Sequence, residues 1–207
     1  MNPYRFIFIL LVSCLGPLLG GCFGTSSPTR FYTLSSPETP TGPLHAGLDV
    51  VLRVGPLSVP EYLDRRQIVS RSGQNGIALA EFGQWSGSLE DEVSRVLVAG
   101  IAEKLDSPRI AVLSGKFIGI PDTVKCLRIP VKIIRFDGFR GETVALNVVW
   151  GVIEKRDMHE KHLFTQETTI REAVAGNSYE ALVAAMGRAA GKLASQMAER
   201  LAPLIPK

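Results

Sequence analysis

The sequence predicts an α+β domain: a mostly antiparallel sheet with two amphipathic helices packed on it, the strands-then-helix order occurring twice. Three observations carry this expectation. Leu127 to Ile133 and Val144 to Val152 place large apolar residues at every second position, with the period of half-buried strands. Two other segments repeat apolar residues every three or four positions, Leu89 to Leu105 and Leu182 to Leu201, as helices with one buried stripe do. Between these lie turn signals: Gly55-Pro56, Gly73-Gln74-Asn75-Gly76, Asp106-Ser107-Pro108 and Asp137-Gly138.

Taken in order, Phe31 to Leu34 reads as a short strand docked on the domain, and Leu48 to Val54 as a strand ended by Gly55-Pro56. Gln67 to Ser72 and Ile77 to Phe82 flank Asn75-Gly76, a dipeptide that favours the positive-φ turn of a hairpin. Ser88 is the expected N-cap of the first helix, with Glu90 and Asp91 placed where the helix dipole favours negative charge. Arg109 to Leu113 is a short strand. After Ile133 the apolar phase slips to Ile134 and Phe136, which predicts a bulge. A charged tip, Glu154 to Lys161, leads to a strand around Leu163 to Arg171. Ser178 caps the last helix, and Pro203 and Pro206 end it. Trp85, Met186 and Met197 are read as core. Gly187 and Gly191 are read as a helix lying tightly on the sheet.

The N-terminus carries an address. Arg5 precedes an apolar stretch, Phe6 to Leu19, broken by Gly16 and Pro17. A spanning helix needs roughly 20 apolar residues, so an export signal fits better than a permanent anchor. The signal ends in Leu19-Gly20-Gly21-Cys22, which resembles a bacterial lipobox. On that resemblance residues 1–21 are the signal peptide, and Leu19, Gly20 and Gly21 guide the signal peptidase. Cys22 then takes diacylglycerol on sulfur and an acyl chain such as palmitate on its amine. The thiol is required because the thiolate is the nucleophile in lipid transfer. Residues 22–30 are the lipidated cysteine and its tether, in a stretch rich in Gly, Ser, Pro and Thr. Phe23 to Arg30 reaches roughly 25 Å at ~3.3 Å per residue. Residues 31–207 form the single domain.

Composition bounds the function. The chain has 207 residues, 45% apolar and 21% charged, which excludes a disordered polymer and suits one hydrophobic core. A formal charge of +3 without a basic run gives no support for nucleic-acid binding. With Cys14 in the signal and Cys22 acylated, Cys126 stands alone, so no intrachain disulfide is expected in an exported domain. An inert, buried thiol is the preferred reading of Cys126.

Phe31-Tyr32-Thr33-Leu34 after a lipobox, then Val59-Pro60-Glu61-Tyr62-Leu63-Asp64-Arg65-Arg66-Gln67-Ile68-Val69, resembles the ABC-type transport auxiliary lipoproteins, the PqiC-like group. Phe82 to Leu89 and the segment Arg135-Phe136-Asp137-Gly138, Gly141, Val144, Leu146 and Trp150 are similar to further parts of that family. The resemblance implies a non-enzymatic lipoprotein that serves an MCE-type intermembrane lipid transport system and supports envelope integrity. It implies contact with membrane lipid through the acyl anchor and with an MCE-domain or other periplasmic subunit, and it leaves room for a homo-oligomer. In Gram-negative lipoproteins Asp after the lipidated Cys favours inner-membrane retention; Phe23 stands there instead, which points to the periplasmic face of the outer membrane.

Two other functions are carried alongside: a periplasmic lipid carrier with its own apolar pocket, and a periplasmic hydrolase. No GxSxG, GxGxxG or P-loop is present, so no catalytic residue or cofactor is assigned. His159-Glu160-Lys161-His162 lacks the spacing that puts two imidazoles on one helix face, so no metal site is assigned either. The candidate partner interface is Tyr62, Leu63, Arg65 and Arg66, an aromatic beside paired arginines. Phe117, Ile118 and Ile120 join it as apolar residues in a loop bounded by Gly and Pro. The alternatives are a turn with a half-buried tyrosine and solvated arginines, and a loop folded on the core.

Overall fold

The computed structural model describes residues 27–36, 47–116, 124–156 and 159–205. Eight strands and two α-helices follow in the order β1 (Arg30–Tyr32), β2 (Val50–Ser58), β3 (Gln67–Ser72), β4 (Gly76–Trp85), α1 (Leu89–Leu105), β5 (Ile110–Ser114), β6 (Lys125–Gly138), β7 (Thr143–Arg156), β8 (His159–Ala173) and α2 (Tyr179–Leu201). A short 3-10 turn, Ala202–Leu204, closes the described chain.

The fold is α+β, but its sheets are mixed rather than mostly antiparallel. One has the order β1-β4-β3 and the other β5-β2-β6-β7-β8. β1 runs parallel to β4, and β2 parallel to both β5 and β6; β3–β4, β6–β7 and β7–β8 are antiparallel. Alternation in a sequence tells which face a residue occupies and is silent on strand direction. β2 did carry a signal of its own. Val50, Val51, Leu52 and Val54 are at most 1% exposed, and an apolar run of this kind, broken only by Arg53, suits a strand buried within a parallel arrangement. Nor does strands-then-helix define two equivalent units. The strands preceding α1 are divided between the sheets, β2 joining those that follow it. Parallel partners need a crossover, and α1 lies in the connection from β2 to β5.

Gly55-Pro56 does not end β2. The peptide bond is cis, the register with β6 shifts there, and pairing resumes at Leu57 opposite Val131. Gly55 has φ +134°, and a Cβ on it would lie 3.2 Å from the Gly115 backbone, so glycine is needed. The β3–β4 hairpin forms as expected, with Ser72 opposite Gly76, but Gly73 at φ +72° supplies the positive φ that the Asn75-Gly76 pair was expected to give. The predicted bulge in β6 sits between Ile133 and Arg135, leaving Ile134 exposed and Phe136 wholly buried.

Both helices start where the sequence places them. Ser88 Oγ accepts from the Asp91 amide at 3.0 Å, and Ser178 Oγ from the Ala181 amide at 3.1 Å. Helix α1 packs on β2 and β5, and α2 on β6, β7 and β8, so one core runs beneath both. The tight approach is between the helices: a Cβ on Gly100 of α1 would come within 2.7 Å of the Ala194 Cβ of α2. The GxxxG pair of α2 behaves otherwise than expected. Gly187 faces the Ser35 backbone after β1, while Gly191 meets nothing within 4 Å.

Gly100→Val is therefore expected to destabilise the domain by about 1–3 kcal/mol through overpacking. Adding Ala194→Gly should return part of that loss. Urea midpoints of the two single variants and the double variant measure it.

Candidate functional site

Two of the sequence segments singled out above meet in space. Tyr62 lies on the turn after β2, and Asp137 lies near the end of β6 with 0% of its surface exposed. Its Oδ2 accepts from the Tyr62 hydroxyl at 2.7 Å, and its Oδ1 accepts from Arg135 Nε at 2.7 Å and Arg71 Nε at 3.0 Å. Arg71 comes from β3, so this carboxylate joins the two sheets. Burial opposes charge on Asp137, yet the hydrogen bonds from Arg71, Tyr62 and Arg135 prevail and hold its carboxyl below the usual range. Tyr62 is pushed up to about 12, first by burial and then by the carboxylate it donates to. One carboxylate against two guanidinium groups leaves an excess positive charge here. A tyrosine held in its protonated form is a hydrogen-bond donor and not a nucleophile, so the cluster is built to fix geometry. Sequence reasoning missed Arg71 as its member; no spacing links it to Asp137.

The rest of the expected interface divides. Leu63 is 2% exposed and packs in the core, so it presents no contact surface. The tyrosine, engaged by Asp137, is half-buried. Arg65 and Arg66 are exposed and line a groove of about 510 Å³ together with Phe31, Asp64, Gln84 and Ser88. Trp85 forms part of its floor at 3% exposure. Across β1 lies a second groove of about 460 Å³, where Arg30 and Tyr32 meet Phe82, Tyr179 and Glu180. Phe117, Ile118 and Ile120 lie outside the described residues, as do Leu19, Gly20, Gly21 and Cys22.

A second buried carboxylate secures the end of β1. Glu92 of α1 accepts from the Leu34 amide at 2.9 Å and from Ser86 Oγ at 3.2 Å. Arg95 Nη2 donates to the same Glu92 at 2.7 Å and to the Leu34 carbonyl at 2.6 Å. Both backbone groups of Leu34 are thus held by one turn of helix. The β1 segment could not pack in this way without them, since a buried amide left unpaired is costly.

His159 and His162 fall on β8, opposite Arg156 and Ile153, and no metal-ligating cluster occurs among the described residues. Cys126, expected to be buried, is half-buried, and desolvation raises its thiol above the ordinary value. Among the described residues no helix is long and apolar enough to cross a membrane.

Fold and site together define an α+β module whose buried charges organise structure and whose exposed charges border surface grooves. A family model described as ABC-type transport auxiliary lipoprotein component matches residues 32–198, and the chain belongs to that family. Among solved structures it is similar to the crystal structure of an uncharacterized protein, with TM-score 0.64 and 16% identity over 84% of this chain and 99% of the other. It is also similar to protein XCC0632 from Xanthomonas campestris, of family DUF330, with TM-score 0.60 and 16% identity over 83% of this chain and 94% of that one. At such identities these two likenesses speak for the fold alone. No curated protein matches the chain.

Asp137→Asn is expected to cost about 2–3 kcal/mol at neutral pH. That is less than a fully buried broken pair, because Arg71 and Arg135 keep contact with water. The folded carboxyl titrates below the unfolded one, so its stabilisation is present above the unfolded value and fades as pH falls through the folded one. The variant should therefore show a shallower loss of stability below about pH 4 in urea titrations, that being the ordinary carboxylate range. Glu92→Ala should raise hydrogen exchange at the Leu34 amide by at least about tenfold, the size expected for losing a charged partner.

Proposed function

We propose that this protein is a non-enzymatic, lipid-anchored module on the periplasmic face of the outer membrane, serving an MCE-type intermembrane lipid transport system. The observation that carries the reading is the family match over residues 32–198, behind a lipobox that ends at Cys22. Membership supports an auxiliary part in transport. The outer-membrane station rests on Phe23 after the cysteine, and the MCE-domain partner on the resemblance of the motifs. Several acyl chains hold a protein on a bilayer far more firmly than one, since each buried CH₂ adds about 0.8 kcal/mol. Confinement to the membrane then raises the local concentration of the docking face, so a weak periplasmic contact suffices. Of the residues expected at the interface, Arg65 and Arg66 are exposed on one groove, while Leu63 is buried and Tyr62 is engaged by Asp137.

A lipid carrier would enclose its cargo in an apolar chamber. Among the described residues, the two grooves beside β1 are surface clefts bordered by Arg30, Glu180, Asp64, Arg65 and Arg66, and neither has the character of such a chamber.

Cys22→Ala is expected to abolish acyl labelling and to move the protein out of the acylated, outer-membrane fraction on a density gradient. A variant that stays there at wild-type level would overturn the anchoring. Co-purification of the wild-type chain with an MCE-domain subunit from the same cells tests the partner separately.

A further inference from the structure

Most arginines among the described residues are tied to the fold. Arg71 and Arg135 bond Asp137, Arg95 bonds Glu92, Arg109 pairs with Asp49, Arg128 with Glu160, and Arg188 with Glu172. Arg171 on β8 is exposed without an ion pair as well, but it lies in the other sheet; the arginines of this kind near β1 are Arg30, Arg65 and Arg66. All three are exposed, and none has an ion-pair or hydrogen-bonding side-chain partner among the described residues. Arg65 and Arg66 share a groove with Phe31, which at 66% exposure is the most exposed large apolar side chain described, whereas Arg30 lines the groove on the other side of β1 with Glu81 and Glu180. Asp64 is the single carboxylate in the lining of the groove that Phe31, Arg65 and Arg66 share.

The place of this cluster on the chain matters as much as its chemistry. Phe31 is on the edge strand β1, four residues after Ser27, where the described chain begins. Cys22 is five residues before Ser27, so at ~3.3 Å per residue its sulfur lies within roughly 17 Å of Ser27 and roughly 30 Å of Phe31. Cations with long apolar stems around a protruding aromatic ring match the bilayer interface, where the ring enters the boundary and the guanidinium groups meet phosphate. The Glu92 and Arg95 bonds to Leu34 fix β1 to the body, so a contact made by Phe31 sets the tilt of the whole domain.

We infer that the Phe31, Arg65 and Arg66 rim is a membrane-contact face that takes anionic phospholipid headgroups and orients the domain on the leaflet carrying its own anchor. The inference rests on the anchoring at Cys22 proposed above. It implies that the opposite end of the domain, away from β1, is turned toward the periplasm and is the end available to a transporter subunit.

The test places a photo-crosslinker in the full chain by Phe31→p-benzoylphenylalanine, with Glu199→p-benzoylphenylalanine on α2 as the distant control, in cells where acylation of Cys22 is followed by labelled palmitate. Irradiation should give Phe31 adducts bearing the mass of phospholipid, and none at Glu199. Adding Arg65→Glu and Arg66→Glu should cut the adduct yield at least about fivefold, the weight of one interfacial cation on an anionic surface. The same loss should appear when acylated protein is irradiated in vesicles of phosphatidylcholine in place of phosphatidylethanolamine with phosphatidylglycerol. Acylated protein whose Phe31 adducts are only with protein, or whose lipid yield equals the Glu199 control, overturns the orientation and leaves the anchor standing. Protein without label overturns the anchor, and this inference with it.

Discussion

The structure depends on a carboxylate that water does not reach. Asp137 is wholly buried and receives three donors, one from the turn after β2, one from β3 and one from its own strand β6. An isolated carboxylate in that position would lose its charge or force the fold open. Supplied with two guanidinium groups and a phenol, it becomes a pin between a three-stranded and a five-stranded sheet. Apolar packing fills both sheets but is tolerant of sliding; directed bonds to one carboxyl fix their relative position. Glu92 repeats the solution on a smaller scale, holding Leu34 to α1 and so β1 to the body.

These two ties separate the charged residues into two populations. Charges that close the fold meet partners at hydrogen-bond distance, whether buried like Asp137 and Glu92 or exposed like Arg95. Charges that border the grooves beside β1 are exposed, and the arginines among them are left to whatever lies outside. Tyr62 and Leu63 turn inward with the first population while Arg65 and Arg66 belong to the second, though they are neighbours in sequence. The turn after Pro60 explains the division: the Leu63 and Asp64 amides both bond the Pro60 carbonyl, folding the chain sharply so that adjacent side chains part.

That turn also marks the limit of what the sequence discloses. Helix positions were legible because caps and a 3.6-residue stripe are local properties; Ser88, Ser178 and the stripe from Leu182 to Leu201 suffice. The β6 bulge was legible for the same reason, since the phase slip is visible between Leu127 and Phe136. Strand direction was not, because β2 finds β5 and β6 only after the chain has passed through α1. Of the site, Tyr62 and the arginine pair were found through the company they keep. Their division into an inward pin and an outward rim was not, since Asp137 lies 75 positions from Tyr62 and no periodicity connects them.

For a domain anchored at Cys22 as proposed, the mechanical consequence concerns the way it transmits force. Tension on the residues before Ser27 arrives at β1, which has only three residues paired with β4, too few hydrogen bonds to hold alone. The load passes next to Leu34, whose amide and carbonyl are gripped by Glu92 and Arg95 on α1. From α1 it spreads through the Gly100–Ala194 approach into α2 and through β2 into the five-stranded sheet. A domain connected in this way moves as one body with its attachment point. Orientation imposed at β1 is therefore felt at the far end, which is the property a docking module needs if its contact face is to meet a partner at a constant angle.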